Sequence, residues 1–261
     1  MESDEEALRL ELKTDSKIVE NQALWAGIKP GMQVADIGCG SGKTTAVLHK
    51  LVQPAGRVVG FDFSEKRCAY ARQHYQAAGL EFRCRDITRP LPDPELYDFI
   101  WVRFVLEYYL ANAFEIVKNL AAMLKPGGIL CLVDLDNNCL NHYGLSARLE
   151  KTLFSIMAAL QKEANFDPHA GKKLYTFLYD LGFEDIKVDI SAHHLIFGDL
   201  KNADAFNWLK KVEIAPEKIN YRYEEYAGGY AEFLAEFKAF FNDPRRFTYS
   251  PLISCRGIKP A

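Results

Sequence analysis

The sequence predicts an α/β protein on a doubly wound, mostly parallel seven-stranded sheet, with a helical cover before it and a helical insertion ahead of its last strand. Three observations lead there. Short apolar runs at Gln33 to Gly38, Val58 to Phe63, Glu81 to Asp86, Phe99 to Phe104 and Gly128 to Asp134 alternate with helix-like stretches at Thr44 to Val52, Glu65 to Ala78 and Ala111 to Leu124. The first run leads into a turn with glycines at alternate positions, Gly38, Gly40 and Gly42. Phe183 to Ile190 and Ser250 to Gly257 read as two further strands, and the span between them, about 60 residues, is long for a connection.

Composition sets the outer limits. The chain has 261 residues, 49% hydrophobic and 26% charged, enough for a full core. A formal net charge of −3 gives no general attraction to nucleic acid or to an anionic membrane surface. The first residues, Met1-Glu2-Ser3-Asp4-Glu5-Glu6, are acidic where a secretory signal is basic, and no stretch approaches the roughly 20 apolar residues of a membrane span, so a cytoplasmic protein is expected. Six cysteines without C-x-x-C spacing are expected as reduced thiols acting as small apolar residues.

Taken in order, residues 5 to 28 read as helical, with Leu8, Leu12, Ile18, Val19, Trp25 and Ile28 as the apolar set and Asp15-Ser16 as a break and cap. Residues 1–28 are therefore assigned as the cover, over the ligand or simply over the core. Residues 29–192 and 250–261 form the sheet domain, with further helices at Leu145 to Leu160 and Gly171 to Leu181. Within the insertion, 193–249, Tyr223, Tyr226, Tyr230, Phe233, Phe237 and Phe240 recur at spacings of three and four, which puts them on one helix face. That face either packs the insertion onto the domain or lines a pocket for an apolar or planar substrate, and the insertion is expected to cap the substrate site.

In sheets of this kind the ligand lies past the carboxyl ends of the strands, where the strand order reverses. The glycine turn stands there, with Asp36 just before it. Counting separates the families that use such a turn. A phosphate-binding loop needs a glycine at position 37, which is Ile37, and a dinucleotide fingerprint needs one at 43, which is Lys43.

Asp36-Ile37-Gly38-Cys39-Gly40-Ser41-Gly42 instead resembles the first motif of the class I S-adenosylmethionine-dependent methyltransferases, a Rossmann-like family. Gly60-Phe61-Asp62-Phe63-Ser64, Arg85-Asp86-Ile87, Tyr97 to Arg103 with Leu106-Glu107, and Leu124-Lys125-Pro126-Gly127-Gly128 resemble its later motifs, in order. Downstream, Gly171 to Phe183 before the sixth strand resembles the type with small-molecule substrates. The resemblance implies methyl transfer from S-adenosylmethionine, leaving S-adenosylhomocysteine. It assigns Asp36, Gly38, Cys39 and Gly40 to the methionine end of the cofactor and Asp62 to the ribose hydroxyls. Phe63 and Arg67 then flank the adenine, Asp86 and Ile87 meet its edge, and Arg103 and Phe104 lie beside the methionine part. Arg103 pairs with the ligand carboxylate or with Glu107.

Methyl transfer needs an in-line nucleophile, and a base only when the acceptor arrives protonated. Candidates for the base are His142, His193 and His194, with Tyr143 and Asp134 behind them. DNA amino-methyltransferases are similar to one another in an Asn/Asp-Pro-Pro-aromatic run, and here that place reads Val102-Arg103-Phe104-Val105, so no nucleic-acid substrate is expected. Asp136-Asn137 resembles a pair in magnesium-dependent catechol methyltransferases, but Arg103 stands near their other acid and would repel a cation; no metal is expected. The expected acceptor is a small molecule, apolar or aromatic, and the expected assembly a monomer or homodimer. The alternatives are a cofactor-binding sensor or partner protein without transfer, and a methyltransferase acting on a protein.

Overall fold

The computed structural model describes residues 11, 14–90 and 96–261. Leu8 and Leu12 of the predicted cover lie outside the described residues. Helix α1, Ser16–Ala26, starts where the side chain of Asp15 accepts from the Lys17 and Ile18 amides, as an N-cap does. It buries Val19, Ala23 and Ala26, while Ile18 and Trp25, predicted on the apolar face, are exposed. The small residues at i, i+4 and i+7 are the ones that let the helix lie close on the sheet.

Five parallel strands follow: β1 (Gln33–Ile37), β2 (Arg57–Asp62), β3 (Leu80–Cys84), β4 (Tyr97–Arg103) and β5 (Leu124–Leu135). Helices α2 (Lys43–Val52), α3 (Glu65–His74) and α4 (Ala113–Met123) connect them. After β5 come the two-residue β6 (His142–Tyr143), α5 (Ala147–Ala164), α6 (Leu174–Asp180) and β7 (Glu184–Ile196). Then α7 (Asn202–Glu217), α8 (Gly229–Asn242) and β8 (Phe247–Ile258) complete the chain.

The strand order is β3-β2-β1-β4-β5-β8, with β7 antiparallel on the far side of β8 and β6 on its N-terminal end. The sheet thus has eight strands rather than the seven predicted; the extra one, β6, is too short to leave a periodic signal. The order reverses between β1 and β4, and the glycine turn sits at that reversal.

Both faces are dry. On one, Ile37, Phe61, Ile100 and Leu132 pack with α4 and α6; on the other, Val34, Val58, Trp101 and Val133 pack with α1 and α2. A third cluster, built from α5, α7 and α8 around Trp208, Phe233 and Phe237, forms a helical lobe carried by the β6–β8–β7 end of the sheet.

Two expectations change here. Residues 193–196, assigned to the insertion, continue β7, because β8 runs back to Phe247 and supplies a partner as far as Ile196↔Thr248. Tyr223 and Tyr226 precede α8, so the aromatic face is shorter than its spacing implied. Phe233 and Phe237 are fully buried inside the lobe, which makes the stripe a packing face.

Candidate active site at the carboxyl ends of β1, β2 and β4

The turn after β1 has all three glycines at positive φ. At Gly38 a Cβ would stand 2.4 Å from Val105 Cγ2, and at Gly42 2.8 Å from Ala71 Cβ, so close approach as well as conformation demands glycine at both. Its amides turn inward: Gly38 and Cys39 donate to Phe61 O at 2.7 and 3.0 Å, and Gly40 donates to Asp62 Oδ2 at 3.0 Å. These three N–H groups are therefore engaged within the fold.

Asp62 is the hub of this corner. Only 5% exposed, it also accepts from the Ser64 amide at 2.9 Å and from the Arg67 guanidinium at 2.7 and 3.1 Å. Arg67 lies 4.8 Å from the centre of the Phe63 ring, and that ring is 57% exposed, a flat apolar surface beside a buried acid. Asp86 is exposed at the next strand end. Its carboxylate accepts from Thr88 Oγ1 at 2.7 Å and Thr88 N at 2.9 Å, and these bonds hold it below the usual carboxylate range. Ile87 is buried. Tyr109, which sequence reasoning passed over, lies near both acids: burial first, then the charges of Asp86 and Asp62, push its hydroxyl up.

Asp36 is buried under the turn and accepts from Thr45 Oγ1 at 2.7 Å. Burial pushes its carboxyl up to about 7, Thr45 opposes, and Asp62 adds to the rise. Arg103 ends β4 nearby. Burial pulls its guanidinium down to about 10, against the favourable charges of Asp36, Asp134 and Asp15. Its Nε donates to Gln22 Oε1 at 3.3 Å, and it stacks 4.1 Å over Phe104, a residue held at φ 57°. Glu107, the other partner considered for Arg103, accepts instead from Asn138 Nδ2 at 2.8 Å.

The three candidate histidines part company. His193 brings its ring within 5.2 Å of Phe104, at the end of β4. The His194 ring packs against His193 at 3.9 Å, tilted by 56°, and reaches toward Trp208 at 6.2 Å. His142 is part of the lobe: Thr248 Oγ1 lies 2.9 Å from Nδ1 and Cys139 O 3.1 Å from Nε2, and burial pulls the ring down to about 4. Tyr143 points outward, 76% exposed. Asp134 is buried beside Glu107, and burial followed by that neighbour's charge pushes it well up.

Glu11 reaches the turn from the N-terminal side, accepting from Ser41 Oγ at 3.2 Å and Tyr75 OH at 2.6 Å. Asp136 lies 3.2 Å from His169 Nδ1 and 3.6 Å from Lys172 Nζ. Among the described residues no group of three or more His, Cys, Asp or Glu is arranged to hold a metal ion. Gln22 and Glu11 escaped the sequence because no local pattern marks a residue whose partner is 81 or 30 positions away.

Residues 35–132 match a protein family described as a methyltransferase domain. A demethylmenaquinone methyltransferase from Bacillus cytotoxicus is 31% identical over 110 residues, 40% of this chain and 46% of the relative. A protein-L-isoaspartate O-methyltransferase from Thermotoga maritima is 32% identical over 107 residues, 40% of this chain and 32% of the relative. This chain thus spans less than half the length of either. The solved phosphoethanolamine N-methyltransferase 2 of Haemonchus contortus, in complex with S-adenosyl-L-methionine, superposes with a TM-score of 0.58 at 16% identity, covering 94% of this chain and 53% of that one. That likeness is one of fold.

Proposed function

We propose that this chain, which carries a methyltransferase domain of the class I fold over residues 35–132, moves a methyl group from S-adenosylmethionine to a small-molecule acceptor. The observation that carries the reading is the corner at the end of β2. There a buried acid, Asp62, is tied to the glycine turn and flanked by the exposed ring of Phe63. The cofactor supplies an activated methyl on a sulfonium, so the protein's work is chiefly binding and alignment.

We assign Asp62 to the ribose hydroxyls, Phe63 and Arg67 to the adenine face, and Asp86 and Ile87 to its edge. Arg67 now occupies one oxygen of Asp62, so a ribose shares or displaces it. Asp36, Gly38, Cys39, Gly40, Arg103 and Phe104 surround the methionine end. For a protonated acceptor His193 is the base we favour, because of the three histidines it is the one beside the end of β4. An apolar or aromatic acceptor is supported by the Phe104 and His193 rings on that side. A cytoplasmic setting is supported by six free cysteines, and among the described residues no helix is long and apolar enough to cross a membrane.

The two named relatives act on demethylmenaquinone and on protein isoaspartate, so the shared domain leaves the acceptor to the rest of the chain. Tritiated S-adenosylmethionine offered with a small-metabolite extract, and separately with an isoaspartyl peptide, tests the reading. Label is expected in the low-mass fraction and its transfer lost in Asp62→Ala. Label on the peptide alone would move the acceptor to protein, and none in either fraction would contradict transfer.

A further inference from the structure

Among the described residues β7 pairs only with β8, which leaves its other edge as the end of the sheet. Natural edge strands are commonly kept short, bulged or charged against pairing with another chain. β7 carries register shifts near both ends, but from Lys187 to His193 it runs in unbroken register with β8. An extended, regular stretch is thus presented at the open edge.

The side chains beside that edge are apolar where solvent exposure would disfavour them. Val188 aligns with Cys255 and Ile190 with Ile253, on the face covered by α4 and α6, yet the two are 46% and 68% exposed. Ile186 packs against the same cluster. On α6, over the same face, Tyr175 and Tyr179 stack at 5.9 Å while 48% and 66% exposed. An apolar strip next to an unpaired strand edge is an association surface.

The sequence of the edge says what fits it. Ile186-Lys187-Val188-Asp189-Ile190 is complementary to itself when reversed. Two copies of β7 paired antiparallel about a two-fold axis at Val188 set Lys187 opposite the partner's Asp189 and Ile186 opposite the partner's Ile190. Shifting the axis to Lys187 or to Asp189 puts like charges directly opposite each other, which destabilises a cross-strand pair. In the single chain Lys187 rests 3.3 Å from Asp185, an exposed contact that is readily exchanged. We propose that a second copy of this chain docks along β7 in this register, joining two eight-stranded sheets into one through an isologous interface.

Sedimentation velocity of the full chain over a range of concentrations tests this. A concentration-dependent dimer is expected, weakened about tenfold in Lys187→Asp and in Asp189→Lys, and restored when the two substitutions are combined. A monomer throughout, single variants that dimerise like the wild type, or a combined variant that fails to recover would each overturn the proposal. Circular dichroism checks that each variant folds. Should one not fold, hydrogen exchange on the wild type decides: amides within 187–191 slow with rising concentration if β7 is the contact, and an unchanged rate overturns it.

Discussion

His142 and Asp36 have pKa values displaced in opposite directions by the same cause, burial. His142 is held neutral, down at about 4, so an unfolded chain takes up a proton on it between about 6.5 and 4 that the native chain refuses. Its contribution is therefore intact above about 6.5 and lost as pH falls toward 4, at most about 3 kcal/mol from a shift of this size. Thermal unfolding of His142→Gln should show a shallower loss over that window than the wild type. Asp36, raised to about 7, works the other way: the native chain keeps a proton that the unfolded chain gives up, so stability falls as pH rises from about 4 to 7. A cation bound above it favours the ionised form, and cofactor affinity should rise with pH up to about 7 in the wild type but stay flat in Asp36→Asn. For His193→Ala we expect kcat to fall about 100-fold with cofactor affinity unchanged, the size of a lost general base. Equal activity would remove His193 from the mechanism. The positions of Asp62 at the end of β2 and of Asp86 just past β3 could be read from the sequence because each acid follows directly on a strand pattern. Tyr109 and Gln22 could not, because their positions follow from how α1 and the segment after β4 close over the strand ends.

At the scale of elements, the lobe of α5, α7 and α8 is a core in its own right, and Phe237 lies at its centre with no exposure. Phe237→Ala should cost about 3–5 kcal/mol, the usual price of an emptied aromatic site. Hydrogen exchange should place the loosening in α5, α7 and α8 and leave β1 to β5 protected. Uniform loosening would mean that lobe and sheet unfold as one. β1, β2, β4 and the second half of β5 were legible because strands buried on both faces read as apolar runs, whereas β3, Leu80-Glu81-Phe82-Arg83-Cys84, alternates and buries only Phe82. β7 was less so: its length follows from β8 running back to Phe247, a long-range pairing with no local trace. The spacing of three and four across Tyr223 to Phe240 was a true helical signal over the second half and coincidence over the first, where Gly228 and Gly229 start the helix anew.

Across the whole molecule, the strand-order reversal places the glycine turn, Asp62 and Arg103 at one end of the sheet, and the lobe rises beside them on the β6–β8–β7 arm. The motifs that resemble a methyl-donor site fall within residues 35–132, whereas the lobe lies beyond that match, and we propose that it shapes the acceptor side. The account's central claim is that the corner around Asp62 holds the adenosyl group. Calorimetric titration of the full chain with S-adenosylhomocysteine tests it most directly. Saturable one-site binding is expected, weakened at least tenfold, or about 1.4 kcal/mol, in Asp62→Ala. No binding to the wild type, or equal binding to a folded Asp62→Ala variant, would contradict it.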